Sequence, residues 1–343
     1  MFFKKLLSFF GKDLAMDLGT ANTLIYTKDQ GIVLNEPSVV ALDARSGNVL
    51  AVGAEAKEFL GRTPEKIRAI RPLKDGVIAD FEVTKIMMTY FIKKVIKGLQ
   101  IVKPKIVICV PTGITQVEMR AVIESAHQAG AREVRLIEEP MAAALGANLP
   151  IDKPVGNMVV DVGGGTTEVA VISLSAVAYA ESVRVAGDEI NEAIQRYVRD
   201  EYKVLIGENL AEQIKIEIGN AYFVEQEEMK VMKITGKNIM NGAPVMLELT
   251  EQEIAECIKE PVSIIVDSVI RALEKTSPQL VADVAQNGIL LAGGGALLKG
   301  LDKLIMEKAN LTVVMDEDPL TTVVRGTGIA MENEKIFKKV FIN

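Results

Sequence analysis

Asp17-Leu18-Gly19-Thr20-Ala21-Asn22-Thr23 and Asp161-Val162-Gly163-Gly164-Gly165-Thr166-Thr167 are two versions of one short pattern, an aspartate leading into glycine and then into hydroxyl-bearing residues. Each follows an apolar run and precedes another, Leu24-Ile25-Tyr26 after the first and Val169-Ala170-Val171-Ile172 after the second, so both read as strand, tight turn, strand. Glycines let backbone N–H groups converge on an anion, threonine hydroxyls add donors, and the aspartates can hold a hydrated Mg²⁺. One such turn could be any glycine-containing hairpin. Two in one chain imply a duplicated domain that closes on a nucleotide from both sides.

A third glycine element, Gly288 to Leu298, runs a buried strand into Gly293-Gly294-Gly295 and then a helical pattern from Ala296-Leu297, which suits close approach to a flat ligand. It is not a dinucleotide fingerprint, and neither is Gly163-x-Gly165, because Leu298 and Glu168 stand where the third glycine belongs. No Gly-x-x-x-x-Gly-Lys-Ser/Thr occurs, which excludes a Walker NTPase.

Between the hairpins, Leu136-Ile137-Glu138-Glu139-Pro140 brings a strand end with two carboxylates to a proline-led helix of small residues, through which two halves could pack closely. A carboxylate there could orient a water for in-line attack on a phosphate, or simply complement the helix dipole. Glu138 and Glu139 point opposite ways if the strand continues, so the residues alone leave open which of them acts. Glu212 and Lys215 share a helix face, the spacing of an ordinary exposed ion pair unless a cleft gives it more to do.

The remaining composition narrows the chemistry. The 343 residues are 49% hydrophobic and 25% charged, which is globular and about two domains long. A net charge of −7 argues against a nucleic-acid surface. His127 is the only histidine and reads as structural, and Cys109 and Cys257 read as reduced, packed thiols of a cytoplasmic protein. Catalysis therefore falls to carboxylates, hydroxyls, backbone amides and a hard metal.

Met1 to Gly11 reads as a short amphipathic helix. Phe2, Phe3, Leu6, Leu7, Phe9 and Phe10 fall on one side and Lys4, Lys5 and Ser8 on the other, suited to an acidic lipid surface or else to docking on its own domain. A single copy should bind weakly and an assembly of copies firmly. No run elsewhere is long enough to span a bilayer.

The elements that position these motifs alternate strand and helix. The pattern predicts strands at Asp13–Met16, Ile32–Leu42, 104–111, Glu133–Ile137, Met158–Asp161 and Gly288–Leu291, and helices at Glu55–Gly61, Val83–Lys97, Glu118–Gly130, Asp188–Asp200 and Glu212–Gly219. That argues for α/β layers in both halves, with insertions near 35–80 and 188–247.

With these residues assembled, the chain resembles the superfamily of actin, sugar kinases and heat-shock chaperone ATPases. Five motifs come in the family's order, at Asp17–Thr23, Arg132–Gly146, Asp161–Thr167, Gly288–Leu298 and Pro319–Met331. Within it the chain is similar to the MreB family of bacterial actins. Asn35-Glu36-Pro37-Ser38-Val39-Val40, Ala69-Ile70-Arg71-Pro72, Asp75-Gly76-Val77-Ile78-Ala79-Asp80 and Ile137-Glu138-Glu139-Pro140-Met141-Ala142-Ala143 match nearly letter for letter. The phenylalanine-rich start is heavier than usual, and Tyr222 to Lys237 follows no family pattern.

The resemblance implies an α/β fold of duplicated actin-like (ribonuclease H-like) domains, with a central nucleotide cleft and two small inserted subdomains. The first large subdomain would comprise 12–34, 81–148 and 332–343, with 35–80 inserted. The second would comprise 149–187 and 248–331, with 188–247 inserted. It implies a slow Mg-dependent ATPase whose cofactors are ATP and Mg²⁺. Gly19, Thr20, Ala21, Asn22, Gly163, Gly164, Gly165 and Thr166 would hold the phosphates. Glu212 and Lys215 would meet the ribose and adenine side, Gly293, Gly294, Gly295, Ala296 and Leu297 would floor the base, and Asp17 and Asp161 would position the metal. Glu139 would activate water with support from Thr167. The family's partners would be further copies of itself in paired antiparallel filaments, acidic lipids on the inner face of the cytoplasmic membrane, and membrane proteins of cell-wall synthesis. Residues 1–11 and an apolar loop at Leu99–Val102, including Ile101 and Val102, would reach the membrane, although that loop also reads as a plain strand approach. The alternative is a non-polymerising relative of chaperone or kinase type; a kinase would need an aspartate base in a second pocket, and no separate candidate is present.

Overall fold

A computed structural model describes residues 13–96, 102–224 and 229–342. Two five-stranded sheets carry the same topology. In the first, Asn22–Thr27 lies antiparallel between Leu14–Leu18 and Gly31–Pro37, and Lys105–Val110 and Glu133–Glu138 extend the other edge in parallel. In the second, Thr167–Ser173 lies antiparallel between Asn157–Val162 and Ala176–Val183, and Ile289–Ala292 and Val313–Met315 extend the other edge in parallel. Asp17 pairs with Leu24 and Cys109, and Asp161 pairs with Glu168 and Ala292, so the aspartates hold equivalent places. The expected duplication is present strand for strand.

The central strands are apolar on both faces because helices cover both, as in other parallel arrangements. Ala176–Val183 escapes the sequence reading because it is an edge strand whose apolar run, Ala176-Val177-Ala178-Tyr179-Ala180, is mostly alanine, a poor strand former. The stretch Ile32–Leu42 is two strands, Gly31–Pro37 and Val40–Asp43, rather than one. The break falls where the Ser38 N–H donates to the Ala21 carbonyl at 2.9 Å, so the chain leaves the sheet to serve the first hairpin.

Helix starts fall at their caps. Asp80 accepts from the Val83 N–H at 3.0 Å and begins the helix Phe81–Val95. Thr115 and Glu118 cap each other reciprocally and begin Gln116–Gln128. Gly187–Tyr202 and Glu208–Ile218 stand where helices are expected, the latter beginning earlier than its motif. Two small three-stranded sheets, Val40–Asp43 with Val49–Val52 and Ile67–Ile70, and Val204–Leu205 with Val231–Asn238 and Pro244–Thr250, stand apart from the large ones.

The halves are joined by two helices, Glu139–Gly146 and Thr322–Glu332, that cross at backbone distance. A Cβ on Gly326 would stand 1.7 Å from the Ala142 carbonyl oxygen, and one on Gly146 2.0 Å from that of Thr322. The small residues after Glu139 thus do what their pattern suggests.

Candidate functional site

The two hairpins face each other across a cavity of about 360 Å³. A Cβ on Gly164 would lie 2.8 Å from that of Ala21, so glycine lets one turn approach the other. Two carbonyls in each turn are already occupied. Ser38, fully buried, donates its hydroxyl to the Gly19 carbonyl at 2.7 Å and its N–H to that of Ala21. In the second hairpin the N-terminus of helix Gly187–Tyr202 does the same work, with the Asp188 N–H donating to the Gly164 carbonyl at 2.8 Å and the Gly187 N–H to that of Gly163 at 3.3 Å. Two carbonyls in each turn are thereby engaged behind the loop, which favours an anion in front of it.

Gly19, Thr20, Ala21, Asn22, Gly163, Gly164, Gly165 and Thr166 all line this cavity, together with Asp17, Glu139, Asp161, Glu212, Lys215, Gly293, Gly294, Gly295 and Leu297. Two of the expected residues do not. The Thr167 hydroxyl is fully buried and donates to the Val185 carbonyl at 2.8 Å, because Thr167 begins the strand rather than ending the turn. Ala296 is buried behind the glycine turn as Gly294–Leu297 tightens into a single 3₁₀ turn. Of the two glutamates, Glu139 lines the cavity as the first helical residue, and Glu138 ends the strand outside it. Residues 1–11 and Ile101 lie outside the described residues, and Val102 is half-buried.

The sequence reading also missed cavity residues. Lys57 and Arg71 arrive from the first insertion and Asp188 from the second. Lys57 Nζ meets Glu212 Oε2 at 2.6 Å, and Arg71 Nη2 meets Glu208 Oε1 at 2.5 Å, so ion pairs join the insertions over the cavity. Lys215 Nζ donates to the Gly187 carbonyl at 3.0 Å, tying its helix to the N-terminus of the helix that backs the second hairpin. Asp75 and Gly76, both with positive φ, form a tight turn whose Gly76 N–H donates to Thr20 Oγ1 at 3.1 Å. No local pattern marks Lys57 or Asp188, and the motifs that contain Arg71, Asp75 and Gly76 give no sign of the cavity, since tertiary contacts alone bring them to it.

The floor is a set of buried carboxylates. Burial pushes Asp161 up to about 8, with Asp17 and Glu168 adding repulsion, and pushes Asp17 up to about 6 against a hydrogen bond from the Cys109 thiol. Glu139 is raised well above the carboxylate range by burial and then by Glu168, Asp161 and Asp17. Burial raises Glu168 to about 7, while its hydrogen bonds from Ser182 and Thr112 pull it down. No lysine or arginine among the described residues acts on Asp17, Glu139 or Asp161.

A bound cation would relieve this mutual repulsion and favour the ionised carboxylates. Among the described residues no group of three or more His, Cys, Asp or Glu encloses a metal by itself. The donor set therefore suits an ion such as Mg²⁺, held by one or two carboxylates with phosphate and water completing its shell. His127 is structural, its Nδ1 lying 3.0 Å from the Ala131 carbonyl oxygen. No helix among the described residues is long and apolar enough to cross a membrane.

Known proteins share this arrangement. The family described as MreB/Mbl protein matches residues 11–339. The cell shape-determining protein MreB of Escherichia coli (strain K12) is 55% identical over 334 residues, covering 96% of each chain. The cell shape-determining protein Mbl of Bacillus subtilis (strain 168) is 48% identical over 325 residues, covering 94% of this chain and 97% of that one. Among solved structures, MreB5 of Spiroplasma citri bound to ADP superposes with a TM-score of 0.89 at 35% identity, over 96% of this chain and 98% of that one. The same protein is also solved bound to AMPPNP. The duplicated sheets, the facing hairpins and these likenesses agree: the chain belongs to the MreB/Mbl family, the actin-like cytoskeletal proteins that include cell-shape determinants.

Proposed function

We propose that the cleft binds ATP with Mg²⁺ and hydrolyses it slowly, and that its occupancy governs assembly of this chain into paired antiparallel filaments on the cytoplasmic face of the membrane, where they direct cell-wall synthesis. The observation that carries the nucleotide reading is the pair of facing glycine turns whose carbonyls are already engaged behind them. The ADP and AMPPNP complexes of the Spiroplasma relative support it.

In this reading the turn amides and the Thr20 and Thr166 hydroxyls hold the phosphates, and Lys215 and Glu212 border the ribose. Gly293 to Gly295 and Leu297 floor the base. Bound through Asp17 and Asp161, Mg²⁺ would neutralise phosphate charge. Glu139 accepts a proton from the attacking water. Its buried setting makes it a stronger base than an exposed glutamate, once the neighbouring charges are neutralised. Thr167 acts only indirectly, by fixing the strand that follows the second turn.

We assign the large subdomains to 12–34 with 81–148 and 332–343, and to 149–187 with 248–331. The small ones are 35–80 and 188–247; the small sheet ending at Ile70 supports the first, and the second small sheet supports the other although its last strand, Pro244–Thr250, runs three residues past that bound. The phosphate state changes the angle between the halves about the crossing at Gly146 and Gly326, a population shift that selects the polymerising shape. Phe2, Phe3, Leu6, Leu7, Phe9, Phe10, Ile101 and Val102 supply membrane contact. Electron microscopy of ATP-loaded protein on an acidic lipid monolayer tests the assembly reading. Paired filaments are expected, and dispersed particles under all nucleotide conditions would reject it. Liposome binding that survives deletion of residues 1–11 would reject the anchor.

A further inference from the structure

We propose that Glu168 is a positioning residue for hydrolysis, fastening the loop after strand Lys105–Val110 to the second half directly behind Glu139; the inference rests on the ATPase reading above. The duplication draws attention to this residue. Leu24 is the cross-strand partner of Asp17 in the first half, 4% exposed and apolar, whereas the partner of Asp161 in the second half is Glu168, fully buried. An apolar side chain is therefore workable at this place in the fold. A carboxylate there carries a desolvation cost that packing does not require.

Both oxygens of Glu168 are committed. Oε1 accepts from the Ser182 hydroxyl at 2.6 Å, and Ser182 is its neighbour on the adjoining edge strand. Oε2 accepts from the Thr112 N–H at 3.1 Å, and Thr112 belongs to the first half. One end of the link is thus anchored in its own sheet and the other reaches across the junction.

The place it reaches is specific. Val110 pairs in parallel with Glu138, so the loop at Thr112 runs on beside the residue that follows Glu138, which is Glu139. Glu168 is the second residue of the strand Thr167–Ser173, which leaves the second phosphate turn directly after Thr166. The link therefore sets the separation between the carboxylate that takes the water's proton and the loop that holds the transferred phosphate. Glu168 does not line the cavity, so it acts through Glu139 and not on the substrate.

The test compares Glu168→Leu, which installs the first half's own solution, with Glu168→Gln. The glutamine amide oxygen can accept from Thr112 while its NH₂ donates to Ser182, since a hydroxyl can also accept. In Glu168→Leu, phosphate release at saturating Mg·ATP is expected to slow on the order of tenfold to a hundredfold, as misplaced reacting groups do. Its affinity for fluorescent ATP should stay within about twofold, and it should still unfold in one cooperative step with at most a modest fall in midpoint, because the lost hydrogen bonds from Thr112 and Ser182 are partly offset by removal of a buried carboxylate. Glu168→Gln should keep phosphate release within about threefold of the wild type. Wild-type turnover by the leucine variant would overturn the proposal. So would equal slowing in both variants, which would point to charge rather than position, or an equal loss of affinity and rate. Absence of ATP-dependent phosphate release from the wild-type control would instead overturn the hydrolytic reading, and the proposal with it.

Discussion

Lys57 and Glu212 meet at 2.6 Å at the cavity between the two hairpins, one from each inserted segment, and Arg71 with Glu208 repeats the link between those segments. The side chains of Lys57 and Glu212 are each about one-third exposed, so each pair contributes at most about 1 kcal/mol. That is small for the fold and significant for an opening step. Lys57→Ala is expected to speed release of a fluorescent ATP analogue about two- to fivefold, and raised salt should act in the same direction. Unchanged release in stopped-flow displacement would show that the pairs do not gate the cleft.

Glu139 should separate binding from chemistry. Glu139→Ala is expected to bind ATP about as well as the wild type, because the proposed phosphate contacts come from the turns. Phosphate release should fall by about 10²–10⁴-fold, the range lost with a general base. A rate unchanged in a coupled phosphate assay would remove the role from Glu139 and return Glu138 to consideration.

The carboxylate floor makes the free protein sensitive to pH. Asp17 and Asp161 are raised to about 6 and about 8, so the folded state holds their protons more tightly than the unfolded chain does. Their contribution to stability is therefore fully present below the ordinary carboxylate range and is lost as pH rises through 6 to 8. Thermal melts of nucleotide-free protein should show the midpoint falling between pH 5 and pH 8. Saturating Mg·ATP should flatten that fall, since a cation favours the charged carboxylates. A free protein that gains stability over this window would contradict the arrangement.

The helix crossing tolerates no added atom. Gly326→Ala would set a Cβ against the Ala142 carbonyl oxygen at 1.7 Å, a backbone contact that no rotamer relieves. A loss of about 1–3 kcal/mol or more is expected in denaturant unfolding, as for other overpacked positions. A wild-type midpoint would mean that the two helices can separate freely.

Much of this was legible in the sequence because local chemistry demanded it. The aspartate-glycine turns, the strand ending at Glu138 and the glycine-rich turn at Gly293 announce themselves by residue type. Ser38 did not, because its task of engaging the Gly19 and Ala21 carbonyls appears only when the insertion folds back on the hairpin. Lys57 and Asp188 were hidden for the same reason, and Arg71 stood in a matched motif that gave no sign of its place at the cavity. Thr167 was misplaced by one structural step, from the end of a turn to the start of a strand. Glu168 registered in the sequence only as an absent glycine, and its oddity emerges when the two halves are laid on each other and Leu24 is found in its place.

Titration calorimetry of the purified chain with ATP, with and without Mg²⁺, tests the central claim most directly. The account predicts saturable binding at one site per chain that tightens markedly when the metal is present. Heats indistinguishable from dilution, or an affinity indifferent to Mg²⁺, would contradict it.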